Sequence, residues 1–188
     1  MSIHIYIFET QVHQRTSLIQ RFVEREVCQG CSIEKKGNGK PYLKGAPQGV
    51  DLNISHSGNL LCIALSDDGE VGVDIERHRQ TSPILGIARR FFSEKEGDYL
   101  IEQAPSEREK NFFRLWTLKE AMIKLVGSTI GYIKQFTLDY PKENVHEKYV
   151  LAHQFYQHNG LWSVSVASRK LVKIIWHPIL QAEISTKF

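Results

Sequence analysis

Apolar and polar residues alternate from the first residues of the chain, Ile3, Ile5 and Ile7 against His4, Tyr6 and Phe8, which is the period of a β-strand. Leu18, Ile19, Phe22, Val23 and Val27 then return at helical spacing, with Thr16 or Ser17 placed to cap and Gly30 to stop. The stretch from Lys35 to Pro41 is too rich in glycine and lysine to pack and reads as a positively charged loop. Leu52–Ile54 is a short apolar strand. Leu60–Leu65 and Val71–Glu76 flank Asp67-Asp68-Gly69, a hairpin signal. From Arg77 to Pro83 the chain is polar, a connection between halves. Helical signals follow over Ile84–Phe92, then a capping box at Ser93-x-x-Glu96 and another at Ser106-x-x-Glu109. The second box opens a helix that runs to about Val126 and is closed by Gly127. Trp162–Ala167 and Leu171–Trp176 are strand-like again. His56-x-Gly58 before an apolar strand reappears as His158-x-Gly160, an offset of 158 − 56 = 102; two β-rich halves of similar build fit this echo.

Composition narrows the class. The 188 residues allow one domain or two small halves. A net charge of +3, from 24 Lys plus Arg against 21 Asp plus Glu, is too slight for a generic nucleic-acid coat. Three cysteines argue against a disulfide framework and for a reducing compartment. The purest apolar run, Leu60–Leu65, is far short of the ~20 residues a membrane span needs, and the six-residue apolar opening, interrupted by His4, is not a signal peptide. The expected location is the cytoplasm.

The chemistry concentrates in carboxylates. In Asp74-Ile75-Glu76 the strand period turns both acids to one face and Val73 and Ile75 to the other. An isolated Asp-x-Glu is ordinarily a solvated strand end, but the long helix offers a third acid. Trp116, Glu120 and Lys124 are four apart and stack along one side. Because that helix is apolar nearly all round, its charged stripe must face a cavity or be paired. Three oxygen ligands without Cys or His suit Mg²⁺ better than zinc, and Mg²⁺ usually borrows phosphate oxygens from its substrate. Gly39-Lys40-Pro41 has the character of a phosphate contact without being a Walker A loop. His56, in Ser55-His56-Ser57-Gly58, either donates to a phosphate or closes the turn. Cys28-Gln-Gly-Cys31 falls at a predicted helix C-terminus with no further thiol or His pair beside it, and is read as neither a zinc site nor a redox pair.

Four ordered motifs resemble one family, the 4'-phosphopantetheinyl transferases of the surfactin-synthetase-activating (Sfp) type: Gly39-Lys40-Pro41, Asn53-Ile54-Ser55-His56-Ser57, Gly72-Val73-Asp74-Ile75-Glu76, and Phe113-Arg114-Leu115-Trp116-Thr117-Leu118-Lys119-Glu120-Ala121-x-x-Lys124. Ala88-Arg89-Arg90-Phe91-Phe92-Ser93-x-x-Glu96 also fits. The resemblance implies an α/β (α+β) fold of two similar, pseudo-symmetric halves, 1–78 and 79–188, each a small antiparallel sheet packed with a long helix. It implies transfer of phosphopantetheine from coenzyme A to a serine of an apo acyl or peptidyl carrier protein, releasing 3',5'-ADP. Asp74, Glu76 and Glu120 would hold Mg²⁺ (or Mn²⁺) on the pyrophosphate. Lys124 would touch the phosphates, and Ser55, His56 and Lys40 would hold the 3'-phosphoadenosine end. The coenzyme A set extends to Arg15, Pro41 and Lys119, and Asp74, Glu120 and Lys124 form the catalytic group, with Glu120 the base for the carrier serine.

Longer relatives carry an extra basic helical stretch after the first strand; here only Arg15 keeps such a position, and either coenzyme A is held more weakly or Lys35, Lys36 or Lys44 substitutes. Arg77, Arg79, Arg89 and Arg90 are the expected docking set for an acidic carrier. The length and internal echo favour a monomer over the short trimeric holo-carrier synthases, with neither nucleic acid nor membrane as partner. The alternative enzyme reading, a Mg²⁺-dependent nuclease or phosphohydrolase, needs a His or Tyr four or five residues before a later Asp. Neither Gln135 nor Lys134 supplies one before Asp139. A non-catalytic carrier- or RNA-binding module would leave the Glu120–Lys124 stripe without purpose.

Overall fold

A computed structural model describes residues 1–79, 83–138, 145–146 and 148–181. The first strand, β1 (Ser2–Glu9), precedes a 3₁₀ turn and helix α1 (Arg15–Glu26). A small hairpin follows, β2 (Ser32–Lys35) with β3 (Pro41–Lys44). Next come β4 (Asp51–Ser57), β5 (Leu60–Ser66) and β6 (Val71–Arg77). Helices α2 (Ile84–Phe91), α3 (Glu94–Glu102) and α4 (Pro105–Val126) form the middle of the chain. A second 3₁₀ turn leads to β7 (Val145–His146), β8 (Tyr149–Gln157), β9 (Leu161–Ser168) and β10 (Lys173–Gln181).

The larger strands form two four-stranded sheets, β10-β1-β5-β4 and β6-β9-β8-β7. Ile3, Ile5 and Ile7 of β1 face Val73, Ile75, Val164 and Val166 of the second sheet in a shared apolar core. The alternate residues Tyr6 and Phe8 pack beneath α1 with Phe22 and Val23, as the strand period requires. On the far side of the second sheet, Leu115, Leu118 and Met122 of α4 close a third core with Leu151 and Ala167. The layers thus run helix, sheet, sheet, helix.

The expected mixed α/β class, small sheets packed with helices, holds, and several finer expectations are corrected. The Leu60–Leu65 and Val71–Glu76 strands do not form a hairpin. Both edges of β5 are taken by β1 and β4, so the chain changes sheets at the Asp67–Gly69 turn and β6 pairs with β9 instead. β6, the last strand before residue 78, lies in the second sheet, while β10 returns to pair in parallel with β1 in the first. That parallel pair means the first sheet is not wholly antiparallel, and α1, with 12 residues, is no counterpart in length to the 22-residue α4. The two His-x-Gly segments do occupy matching places, the β4–β5 and β8–β9 turns, where Gly58 and Gly160 take positive φ.

The Ser93 capping box forms, with Ser93 and Glu96 bonding each other's backbone amides. Ser106 caps nothing. Pro105 occupies the first turn of α4, where its missing N–H costs no bond, and Arg108 covers the carbonyls of Leu100, Ile101 and Gln103. Cys28 and Cys31 are a linked pair across the turn after α1, Cα to Cα 5.6 Å, one local link where none was expected; Cys62 is a buried free thiol. Part of the Arg77–Pro83 connection, and Asp139, lie outside the described residues. Among the described residues no helix is long and apolar enough to cross a membrane.

Candidate active site

The site forms where β4, β6 and α4 meet. β4 and β6 are edge strands of different sheets and exchange no ladder of main-chain bonds. Every second side chain of β4 accepts a β6 amide instead: Asp51 from Val71, Asn53 from Val73, Ser55 from Ile75 and Ser57 from Arg77, at 2.9–3.4 Å. Edge amides would otherwise be left unpaired at a buried seam, a cost of about 1–3 kcal/mol each.

Gly72 brings β6 against α4. A Cβ there would overlap the Ala121 carbonyl and the Leu125 amide, so only glycine allows this approach. Two residues on, Asp74 meets the helix stripe. Its Oδ1 accepts the Ser55 hydroxyl and Lys124 Nζ, both at 2.7 Å, and Lys124 Nζ also donates to Ser55 Oγ at 2.7 Å. Asp74 Oδ2 is buried without a hydrogen-bond partner. Glu76 Oε2 accepts the Ser57 hydroxyl at 2.7 Å. Burial, and then the Asp74 charge, raise the Glu76 carboxyl above its ordinary value. Glu120 is pushed up to about 7, first by burial, then by Asp74, with Lys124 opposing. One ammonium thus serves three mutually repelling carboxylates.

That donor set fits a hard divalent cation: oxygen ligands only, excess negative charge, and one buried oxygen with an unused lone pair. It is not a closed cage. Among the described residues no three His, Cys, Asp or Glu side chains draw close enough to hold an ion alone.

Beside the carboxylates lies a cleft of about 440 Å³ lined by His56, Ser57, Glu76, Arg77, Arg79 and Trp116, among others. His56 is exposed there. A larger hollow of about 710 Å³, between the starts of α2 and α4, contains none of the three acids, whereas Glu76 lines the smaller one. Trp116 packs edge-on against Phe91 and beside Phe112, fixing α2 to the cleft wall.

Other expected contacts are not brought together. Ser55 lines up with the acids, but its oxygen is saturated: it donates to Asp74 and accepts from Lys124 and the Ile75 amide, leaving nothing for a nucleotide. Lys40 is 7% exposed. Its ammonium donates to the Leu125 carbonyl at 2.9 Å and pairs with Glu70 and Asp51 at 3.4 and 3.6 Å. It satisfies the C-terminal carbonyls of α4 rather than reaching solvent, and Asn38 adds a bond to Gly127 O. Pro41 starts β3 in the same anchored hairpin. Lys119 is 0% exposed and gripped by both oxygens of Glu96, at 2.6 and 2.9 Å; successive helix residues diverge by 100°, so its neighbour Glu120 faces the site while Lys119 faces the core. Arg15 donates to the Gly58 carbonyl, at the cleft's edge. Of the arginines, Arg77 bonds Asn159 O and lies over Trp162, while Arg79, Arg89 and Arg90 are exposed.

Sequence reasoning gave Ser57 and Gly72 no role of their own and did not foresee the pairing of Glu96 with Lys119. The polar residues at every second position of Asp51-x-Asn53-x-Ser55-x-Ser57 are the signal that marks the seam.

A family model of the 4'-phosphopantetheinyl transferase superfamily matches residues 70–171, just over half of the chain and including β6 and α4. The chain belongs to this superfamily. It is 45% identical over 107 residues to the 4'-phosphopantetheinyl transferase psf-1 of Bacillus pumilus, covering 56% of this chain and 44% of that protein. It is 35% identical over 108 residues to HetI of Nostoc, 56% of this chain and 46% of the relative, and 41% identical over 94 residues to Sfp of Bacillus subtilis strain 168, 50% and 40%. The matched region thus spans less than half the length of these relatives.

Proposed function

We propose that this chain transfers the 4'-phosphopantetheine group of coenzyme A to a serine hydroxyl of an apo carrier protein, with Mg²⁺ or Mn²⁺ held by Asp74, Glu76 and Glu120. The observation that carries the reading is the cluster of three carboxylates around Lys124, with Asp74 Oδ2 buried and unpartnered, inside the region matched by the superfamily. The relatives named above, all 4'-phosphopantetheinyl transferases, support the same group transfer.

Bound there, the ion supplies charge neutralisation on the pyrophosphate. Lys124, already fixed by Ser55 and Asp74, places a second positive charge beside the phosphates. Glu120, on the α4 stripe beside Lys124, receives the proton of the carrier serine, directly or through water. The serine oxygen bonds to the phosphorus that bears pantetheine, the bond from that phosphorus to the bridging oxygen breaks, and 3',5'-ADP leaves with the electron pair. Trp116 walls the cleft beside the acids. Arg77, Arg79, Arg89 and Arg90 present positive charge to an acidic carrier.

Mass spectrometry of several apo carriers incubated with this chain, coenzyme A and Mg²⁺ tests the reading. A phosphopantetheine adduct on the carrier serine is expected, lost with EDTA and with Asp74→Ala, while the variant keeps its circular dichroism. Absence of any adduct across acyl and peptidyl carriers overturns it.

A further inference from the structure

The four β4 side chains along the seam are not equivalent. Asp51 and Asn53 accept the amides of Val71 and Val73. Ser55 and Ser57 each do two things at one oxygen: they accept the amide of one β6 residue and donate their proton to the carboxylate of the residue before it. Ser55 joins Ile75 N and Asp74; Ser57 joins Arg77 N and Glu76. The same two-bond unit thus recurs one strand period on. Asp74 has Lys124 as a second holder. For Glu76, among the described residues, the Ser57 hydroxyl is the one side-chain donor, at 2.7 Å.

We propose that Ser57 is a positioning residue for the metal site, fixing the Glu76 carboxylate so that one oxygen is committed to the seam and the other is free for the cation; the proposal rests on the metal-dependent reading above. Glu76 has three torsions, and a carboxylate already held needs less ordering when an ion arrives. Ser57 is itself 7% exposed and pinned by the Arg77 amide at 3.2 Å, so the oxygen that aims Glu76 is set by the β4 backbone. Bonds of this outer kind are worth 10–100-fold in metal affinity.

The test measures Mn²⁺ binding to the full chain by electron paramagnetic resonance, in the absence and in the presence of coenzyme A, alongside the Mg²⁺ dependence of transfer. Ser57→Ala is expected to weaken Mn²⁺ about 10- to 100-fold and to raise the Mg²⁺ needed for half-maximal rate, with the KM for carrier unmoved. Ser57→Thr, which keeps the hydroxyl, restores binding. Ser57→Cys, nearly isosteric with a weak donor, weakens it in the same direction and carries the test if the alanine variant does not fold. Asn53→Ala is the control. It removes a seam bond without touching a carboxylate, so it lowers the melting temperature yet leaves Mn²⁺ affinity within about twofold of wild type. Wild-type affinity in Ser57→Ala and Ser57→Cys, or equal weakening by Asn53→Ala, overturns the positioning role. No Mn²⁺ binding by the wild-type chain overturns the metal site itself, and the role with it. Intact Mn²⁺ binding without transfer counts against the proposed reaction alone and leaves Ser57's role standing.

Discussion

Lys124 Nζ lies 2.7 Å from Asp74 Oδ1, and this contact ties α4 to the edge of the second sheet at the centre of three carboxylates. Replacing Lys124 by Met removes the cation that bonds Asp74 and leaves that carboxylate buried without its counter-charge. Transfer is expected to fall 10²–10³-fold, the scale of one lost charge-stabilising donor. The melting temperature drops by several degrees, at about 2–4 °C per kcal/mol for a chain of this size. Steady-state rates and thermal melting read the two effects separately.

The raised Glu120 carboxyl predicts how the metal-free protein responds to pH. Its folded-state value of about 7 lies above the ordinary 4.5. Between those values the folded state binds more protons than the unfolded one, so this group's stabilising contribution is complete below pH 4.5 and is lost as pH rises through 7. His78 and His153 act in the opposite direction. Burial lowers them to about 4 and about 3, so their contribution is present above 6.5 and lost as pH falls through those values. The falling Glu120 contribution and the rising histidine contributions cancel near pH 7, so melting in EDTA is expected to be highest there. Glu120→Gln steepens the rise between pH 5 and 7, and Mg²⁺ raises the wild-type melting temperature most at pH 8.

Gly72→Ala forces a methyl group into the backbone of α4 at Ala121 and Leu125. Backbone cannot yield as a side-chain tip can, so a loss of about 1–3 kcal/mol or more is expected, visible as a lower denaturant midpoint. Because Gly72 sets the separation of Asp74 from Lys124, transfer falls as well. A variant as stable and active as wild type contradicts the close approach.

Glu96 accepts Lys119 at both oxygens, the Leu138 amide at 2.9 Å and the Ser93 amide at 2.8 Å. Removing either partner strands a buried charge, so Lys119→Met or Glu96→Gln is expected to cost about 3–5 kcal/mol. The double variant Glu96→Met with Lys119→Met recovers part of that loss, since both charges go together. A double-mutant cycle by chemical denaturation measures the coupling; additive losses refute the pair's interdependence.

Reversing Arg79, Arg89 and Arg90 to Glu is expected to raise the KM for an acidic carrier about tenfold at low salt, with little change in the KM for coenzyme A. The difference shrinks as salt screens these exposed charges. An unchanged KM places docking elsewhere.

Much of the site was legible before the fold was. The Asp74-Ile75-Glu76 alternation and the Trp116–Glu120–Lys124 spacing each place charges on one face by local geometry alone. Short-range rules hold when an element forms. They do not say which elements meet. Lys40 looked like a phosphate ligand because loops usually expose lysine, yet the fold brings the end of α4 against it. Lys119 stood beside Glu120 in the chain and is turned into the core. The β5–β6 hairpin signal was outweighed because β5 had two better partners, β1 and β4.

The sequence by itself determined the elements that carry the site, β4, β6 and α4, the faces on which their acids and cations lie, and a family resemblance that the superfamily match over residues 70–171 supports. Only the tertiary structure decided which polar groups are already satisfied. Ser55, Lys40 and Lys119 carry the right chemistry but have their bonding capacity filled by protein partners, whereas Asp74 keeps one buried oxygen without a partner. The reason is physical. Periodicity fixes direction along one element, but the occupancy of a donor or lone pair depends on groups distant in the chain, and those are set by how the two sheets and α4 pack together.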